Sequence, residues 1–231
     1  FMCIVKAMIA TGIYPDFIVV DGKEGGTGAA PLEFANHVGM PLTEGLTFVH
    51  NTLRGANIRE RIRIGASGKL IHAFDVAQAF AMGADWCNSA RGFMFSVGCI
   101  QAQACHTNHC PTGVTTTDPV RQRALVVKDK APRVANFHRN TMRALAEMAG
   151  AAGLDDPRDF LPHDFMKREA DGSMVEASDA WPYMQHNYLI ENENTDREDM
   201  YLKRWRRASA ETFDPPEPYG RALKKRKMAA E

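Results

Sequence analysis

The chain has 231 residues, 28 lysines and arginines against 28 aspartates and glutamates, and a formal net charge of zero. It is 45% hydrophobic and 24% charged, an ordinary globular composition that excludes a disordered, collagen-like or coiled-coil chain. Balanced charge argues against nucleic acid as the main partner, because such proteins carry a basic excess. No run approaches the ~18 consecutive apolar residues of a membrane helix. No segment combines a basic start, an apolar stretch and a small-residue cleavage site. Phe1 already stands in a helix-like pattern, which predicts a piece of something longer.

Met2 to Ile9 read as an apolar-rich helix ended near Gly12. Asp16 to Asp21, bounded by Pro15 and Gly22, is a short β-branched run that suits a fully buried strand. A glycine-rich loop, Gly22 to Pro31, follows. Leu46, Val49 and Leu53 mark a helix within 43–61. Arg61 to Gly68 read as a second strand running into a glycine turn. Ile71 to Met82 form a helix closed by Gly83, and Ala84 to Ala90 a third strand with Arg91 and Gly92 just beyond. Residues 96–118 are a loop dense in Cys, His, Thr, Asn and Pro. Residues 119–153 carry helical spacing through Val134, Phe137, Met142, Leu145 and Met148. From 154 to 231 charges, prolines and scattered aromatics run without a strong period. Lys224 to Lys227 form a basic tail.

Strand, loop and helix in repetition imply parallel strands. A doubly wound sheet and a (β/α)8 barrel both fit. A complete barrel takes ≈ 250 residues, so a barrel here would be only its C-terminal part.

Cys99, Cys105 and Cys110 have the spacing C-x5-C-x4-C, with Pro111 after the last. Five cysteines are too few for a disulfide framework, and three within twelve residues predict a metal or cluster site in a reducing, cytoplasmic compartment. Zinc would want a fourth ligand, His106 or His109. An iron–sulfur cluster on three thiolates is the other option. Cys87, inside a strand, reads as core. Met94 and Phe95 read as apolar shielding beside the loop, and His50 and His72 as helix-face residues.

Gly65, Ala66, Ser67 and Gly68 follow a strand and precede a helix, where backbone N–H groups can bind an anion. Ser89 to Gly92 end the next strand and can do the same. In barrels a phosphate site commonly comes from the loops after strands seven and eight, so two such loops in succession suggest one phosphate clamp.

These blocks resemble a family. Asp21 to Pro31 is similar to the glycine-rich loop of the synthase domain of glutamate synthase. Ile64 to Gly68 resembles its next phosphate-side loop. Gly98–Cys99–Ile100, Cys105–His106, Cys110–Pro111 and Gly113–Val114 resemble its [3Fe–4S] loop. The order and spacing agree over residues 1–155, and the resemblance is to the FMN-binding glutamate synthase-like family. It implies an α/β fold: the C-terminal part of a (β/α)8 TIM barrel over 1–155, with a cysteine-rich cluster loop. Residues 156–231 would be a less regular polar extension.

The implied activity is an oxidoreductase that forms L-glutamate from 2-oxoglutarate and ammonia through 2-iminoglutarate. It would use a hydride from reduced FMN and electrons from a [3Fe–4S] cluster. The resemblance makes Cys99, Cys105 and Cys110 the cluster ligands. It sets Gly65, Ala66, Ser67, Gly68, Ala90 and Arg91 around the FMN phosphate. Gly25, Gly26, Thr27 and Gly28 would line the substrate side. The implied electron donor is ferredoxin or an NAD(P)H-oxidising subunit.

Two positions depart from the family. Ser67 stands where many members have Asp, and Arg91 where they often have a small polar residue. The flavin-side lysine is expected upstream of Phe1, so the piece alone is expected to be inactive. An N-methylglutamate synthase-type subunit and a non-catalytic zinc- or cluster-binding module are the competing readings. Iron with sulfide, against zinc, separates the two flavoenzyme readings from a zinc-binding module.

Overall fold

The structure, a computed structural model, describes residues 1–22, 33 and 38–214. The chain divides into two compact units. One comprises Phe17–His50 and Arg63–Tyr183, the other Phe1–Asp16, Asn51–Ile62 and Met184–Glu231.

The first unit is built on a three-stranded parallel sheet, β1 (Phe17–Asp21), β2 (Arg63–Ser67) and β3 (Trp86–Asn88), in that spatial order. Phe17 pairs with Arg63 and Asp21 with Ser67; Gly65 pairs with Trp86 and Ser67 with Asn88. The chain between β1 and β2 carries helix α2 (Leu42–Gly55), and that between β2 and β3 carries α3 (Ala73–Ala81). This is the α/β arrangement with a parallel sheet that the strand–helix repetition predicts.

The centre of the sheet is dry. Ile64 and Ala66 of β2, Leu46 of α2 and Ala77 of α3 are fully buried. β2 runs through Gly65 and Ala66 to Ser67, so the glycine turn begins only at Gly68. Gly65 is needed there because a Cβ would stand 2.6 Å from the Trp86 ring. β1 corrects the expectation of a fully buried strand. It is an edge strand among the described residues, and Phe17 and Val19 on one face are exposed. Phe17 rests edge-on against Trp86, ring centroids 5.5 Å apart.

Of two residues expected on helix faces, His50 lies on α2 as expected and His72 sits elsewhere. His72 is the N-cap of α3, and Asp75 accepts hydrogen bonds from the Ile71 and His72 N–H groups at 2.8 and 3.1 Å. His50 is buried against the ring of Tyr183. Past β3 the chain turns into a short helix, α4 (Arg91–Val97), which the sequence pattern leaves unmarked. The expected helix over 119–153 is two: α5 (Pro119–Gln122), capped by Asp118, and α6 (Val127–Ala151). Phe93 of α4 packs edge-on against Phe137 of α6, centroids 5.2 Å apart. A two-stranded antiparallel hairpin, β4 (Met166–Arg168) and β5 (Met174–Glu176), and helix α7 (Ala177–Ala180) complete the unit.

The second unit holds α1 (Met2–Thr11), which presents Met2, Val5 and Met8 at helical spacing and ends on left-handed Gly12. With it go α8 (Tyr188–Glu191) and α9 (Met200–Arg207). Leu202 and Trp205 of α9 are buried, a helical pattern in a stretch where the sequence shows no strong period. Lys6 of α1 pairs with Glu193 at 2.6 Å and lies over the Trp205 ring. Among the described residues no helix is long and apolar enough to cross a membrane.

Candidate functional site: strand-end loops and a three-cysteine pocket

The C-terminal ends of β2 and β3 lie side by side, because Ser67 pairs with Asn88. The loops leaving them are joined: Ser89 Oγ donates to the Leu70 carbonyl at 2.6 Å. The Gly22 N–H, at the end of β1, donates to the Ser67 carbonyl at 2.8 Å. Carboxyl ends of adjacent parallel strands are where ligands bind in α/β sheets. Of the six residues expected around a phosphate, Ser67, Gly68, Ala90 and Arg91 stand at these ends. Gly65 and Ala66 do not: both are buried inside β2, Gly65 under Trp86. Gly25, Gly26, Thr27 and Gly28, expected on the substrate side, lie outside the described residues.

Beyond α4 the chain folds into the cysteine loop. Gly98 closes α4 in the left-handed region, and the Cys99 N–H donates to the Met94 carbonyl. Gln101, Gln103 and Asn108 also have φ near +55 to +66°. Such backbone is unfavourable for glutamine and tolerated by asparagine. Three left-handed residues in eight give the loop its coiled shape. Asn108 then ties the two ends of the loop together. Its Oδ1 accepts from the Thr117 N–H at 2.7 Å and from the Thr116 and Thr117 hydroxyls at 3.0 and 3.1 Å. Gln122 of α5 donates to the Thr116 carbonyl at 2.7 Å. Gly113 touches α5 so closely that a Cβ would meet the Arg121 carbonyl at 2.3 Å.

Cys99, Cys105 and Cys110 all line one pocket, together with Met94, Ile100 and Thr115. The Gln101 N–H points at Cys99 Sγ, 3.5 Å away, and Thr112 Oγ1 lies 3.5 Å from Cys110 Sγ. Burial of Cys110 works against its thiolate. Hydrogen bonds from the side chains and backbones of Thr112 and Thr115 outweigh it and bring the thiol down to about 6. The Thr115 hydroxyl oxygen is itself buried and makes no hydrogen bond of ordinary geometry. Cys87 behaves oppositely: burial pushes its thiol up to about 12, as suits a core cysteine. His106 and His109 are exposed on the loop and do not line the pocket. Met94 lines it as expected of apolar shielding, whereas Phe95 does not.

Among the described residues, no three His, Cys, Asp or Glu side chains gather tightly enough for one metal ion. The sequence pattern singled out the cysteines but not Thr112, Thr115 or Asn108. Hydroxyls placed two and five residues after Cys110 were the available signal.

Fold and site together define an α/β protein with joined loops at parallel strand ends and a cysteine pocket following them. Residues 3–155 match the family described as "Conserved region in glutamate synthase", and the chain belongs to the glutamate synthase family. It is 46% identical over 168 residues to a glutamate synthase large subunit-like protein of Bacillus subtilis, covering 73% of this chain and 32% of that protein. It is 38% identical over 142 residues to ferredoxin-dependent glutamate synthase 2 of Synechocystis, covering 61% of this chain and 9% of the relative. It is 37% identical over 150 residues to an archaeal glutamate synthase [NADPH] of Methanocaldococcus jannaschii, covering 64% and 29%. The chain thus spans a third or less of the length of these relatives.

Proposed function

We propose that this chain is part of a glutamate synthase-type flavoenzyme, the C-terminal part of its synthase domain. Residues 1–155 would supply the last strands of a (β/α)8 barrel and its cluster loop. The reaction would form L-glutamate from 2-oxoglutarate and ammonia through 2-iminoglutarate. The observation that carries the reading is the convergence of Cys99, Cys105 and Cys110 on one pocket, in a chain of this family.

The donor set fits a [3Fe–4S] cluster better than a single zinc ion. A structural zinc ion wants four ligands, and neither His106 nor His109 lines the pocket to supply the fourth. A [3Fe–4S] cluster would be held by three protein thiolates. The Gln101 N–H directed at Cys99 Sγ and the buried Thr115 hydroxyl, which makes no well-formed hydrogen bond, are donors of the kind that sulfur-rich groups attract. The FMN phosphate would be held by Ser67, Gly68, Ala90 and Arg91 at the ends of β2 and β3, with Arg91 bringing positive charge. When bound, FMN supplies a hydride and the cluster supplies single electrons.

The chain's own residues bind and insulate. Met94 and Ile100 keep the cysteine pocket apolar, and the loop bonds centred on Asn108 fix the spacing of the thiols. The names of the relatives support ferredoxin or an NAD(P)H-oxidising subunit as electron donor.

Protein purified without oxygen should contain ~3 iron with acid-labile sulfide per chain and give the EPR signal of an oxidised [3Fe–4S] cluster. Cys105→Ser should lose most of that iron while keeping its helical circular dichroism. Stoichiometric zinc without iron would overturn the reading in favour of a zinc-binding module.

A further inference from the structure

The cysteine loop contains five threonines, and four have a hydroxyl partner. Thr107 donates to the Ala104 carbonyl, Thr116 to the Asn108 carbonyl and Thr117 to Asn108 Oδ1, while Thr112 lies against Cys110 Sγ. The fifth, Thr115, has a buried hydroxyl oxygen that makes no well-formed hydrogen bond, although it faces Cys110 closely enough to favour its thiolate. Buried hydroxyls are normally satisfied, so an exception asks for a reason. Thr115 lines the same pocket as the three cysteines. The backbone on either side of it is anchored, because Thr116 and Thr117 are bonded to Asn108 and Gly113 is pressed on the Arg121 carbonyl. Most of the remaining lining is apolar, including Met94, Ile100, Ala102 and Val114. The Thr115 O–H is therefore one of the few neutral donors available to a sulfur there.

We propose that Thr115 is a positioning and tuning residue: its hydroxyl donates a hydrogen bond to sulfur at the Cys110 corner of the group held by Cys99, Cys105 and Cys110, and thereby raises that group's reduction potential. The inference rests on the cluster reading above. Its physical basis is that the reduced group carries one more negative charge than the oxidised group. A donor to sulfur stabilises the reduced form more, and hydrogen bonds to sulfur are a recognised determinant of cluster potential. Thr115 would leave the thiolate ligands unchanged and alter only the ease with which an electron is accepted.

The test is an EPR-monitored redox titration of the full chain, purified without oxygen, for wild type, Thr115→Val, Thr115→Ala and Thr115→Ser. Iron content and circular dichroism are measured alongside. Thr115→Val should retain wild-type iron but shift to lower potential. At fixed ambient potential the reduced-to-oxidised ratio should fall three- to tenfold, tenfold being 59 mV for one electron. Thr115→Ser, which keeps the hydroxyl, should titrate with wild type. Should valine prevent loading, the Ala and Ser variants decide: a lowered potential for Ala alone supports the inference, and equal potentials overturn it. Normal iron and an unchanged potential in Thr115→Val would overturn the tuning role and leave the cluster reading standing. Absence of iron from wild type would overturn both.

Discussion

The sheet and the cysteine loop are held together by opposite means. β2 is ordered by exclusion of water: Ile64 and Ala66 are fully buried, and Trp86 closes over Gly65. The cysteine loop buries little apolar surface. It is ordered by hydrogen bonds, four of them to Asn108, and it carries three left-handed residues that are not glycine. Apolar packing is non-directional and tolerates small shifts. A polar network is directional, and it fails when one hub is lost. The scaffold of the proposed site should therefore survive changes that dissolve its cysteine pocket.

The largest expected effect tests the scaffold. Leu46→Ala removes a fully buried side chain from α2 and should cost about 2–5 kcal/mol. Chemical denaturation should register this as a lower midpoint. Loss of that size should also expose the cysteine loop to proteolysis, because the loop is tied to α4 and α5 of the same unit. A stability change below ~1 kcal/mol would mean that packing is not what holds the sheet.

A smaller effect should isolate the loop. Asn108→Ala deletes the side-chain acceptor of the Thr117 N–H and hydroxyl, while the Thr116 hydroxyl keeps the backbone carbonyl of residue 108. The expected cost is about 1–3 kcal/mol, confined to the loop. Amide hydrogen exchange should accelerate over residues 99–118 and stay slow in β2. Equal acceleration in both would erase the distinction between the two regions. Under the cluster reading, the same variant should also hold iron less well, because the spacing of its thiols is no longer fixed.

That distinction also explains what could be read from the residues alone. β1, β2, α1 and α3 are legible because each carries a local pattern: Ile18–Val20 is a β-branched run, Ile62 and Ile64 alternate with Arg63, and Met2, Val5 and Met8 repeat at helical spacing. The cysteine spacing is legible for the same reason, being a local count. The hub is not, because Asn108 meets Thr116 and Thr117 only after the chain has doubled back through left-handed positions. Gly65 misleads for a related reason: as one glycine of a glycine–serine stretch it reads as loop, but its partner is Trp86, twenty-one residues on. Helix α9 escapes notice because it is eight residues long and two buried side chains, Leu202 and Trp205, carry its whole pattern.

The smallest effect lies in the second unit, where a single carboxylate organises α9. Asp199 caps the helix, accepting from the Tyr201 and Leu202 N–H groups at 2.7 and 2.9 Å, and its other oxygen accepts from the Tyr188 hydroxyl at 2.7 Å. Burial alone would raise its pKa. The Tyr188 hydroxyl, the two N–H groups and the Arg206 charge outweigh that and hold it below the ordinary carboxylate value. A depressed folded-state pKa contributes stability that is present above the unfolded value, about 3.9, and is lost as pH falls through the folded value. Asp199→Ala should therefore cost about 1 kcal/mol near neutrality, as lost caps do. The gap to wild type should narrow as thermal melts are taken from pH 6 down through the range below 4. Asp199→Asn keeps a capping oxygen without the titration, and its melting temperature should fall less steeply with acid than that of wild type. A gap between wild type and Asp199→Ala that stays constant to pH 3 would show that the cap acts through its oxygen geometry and not through its charge.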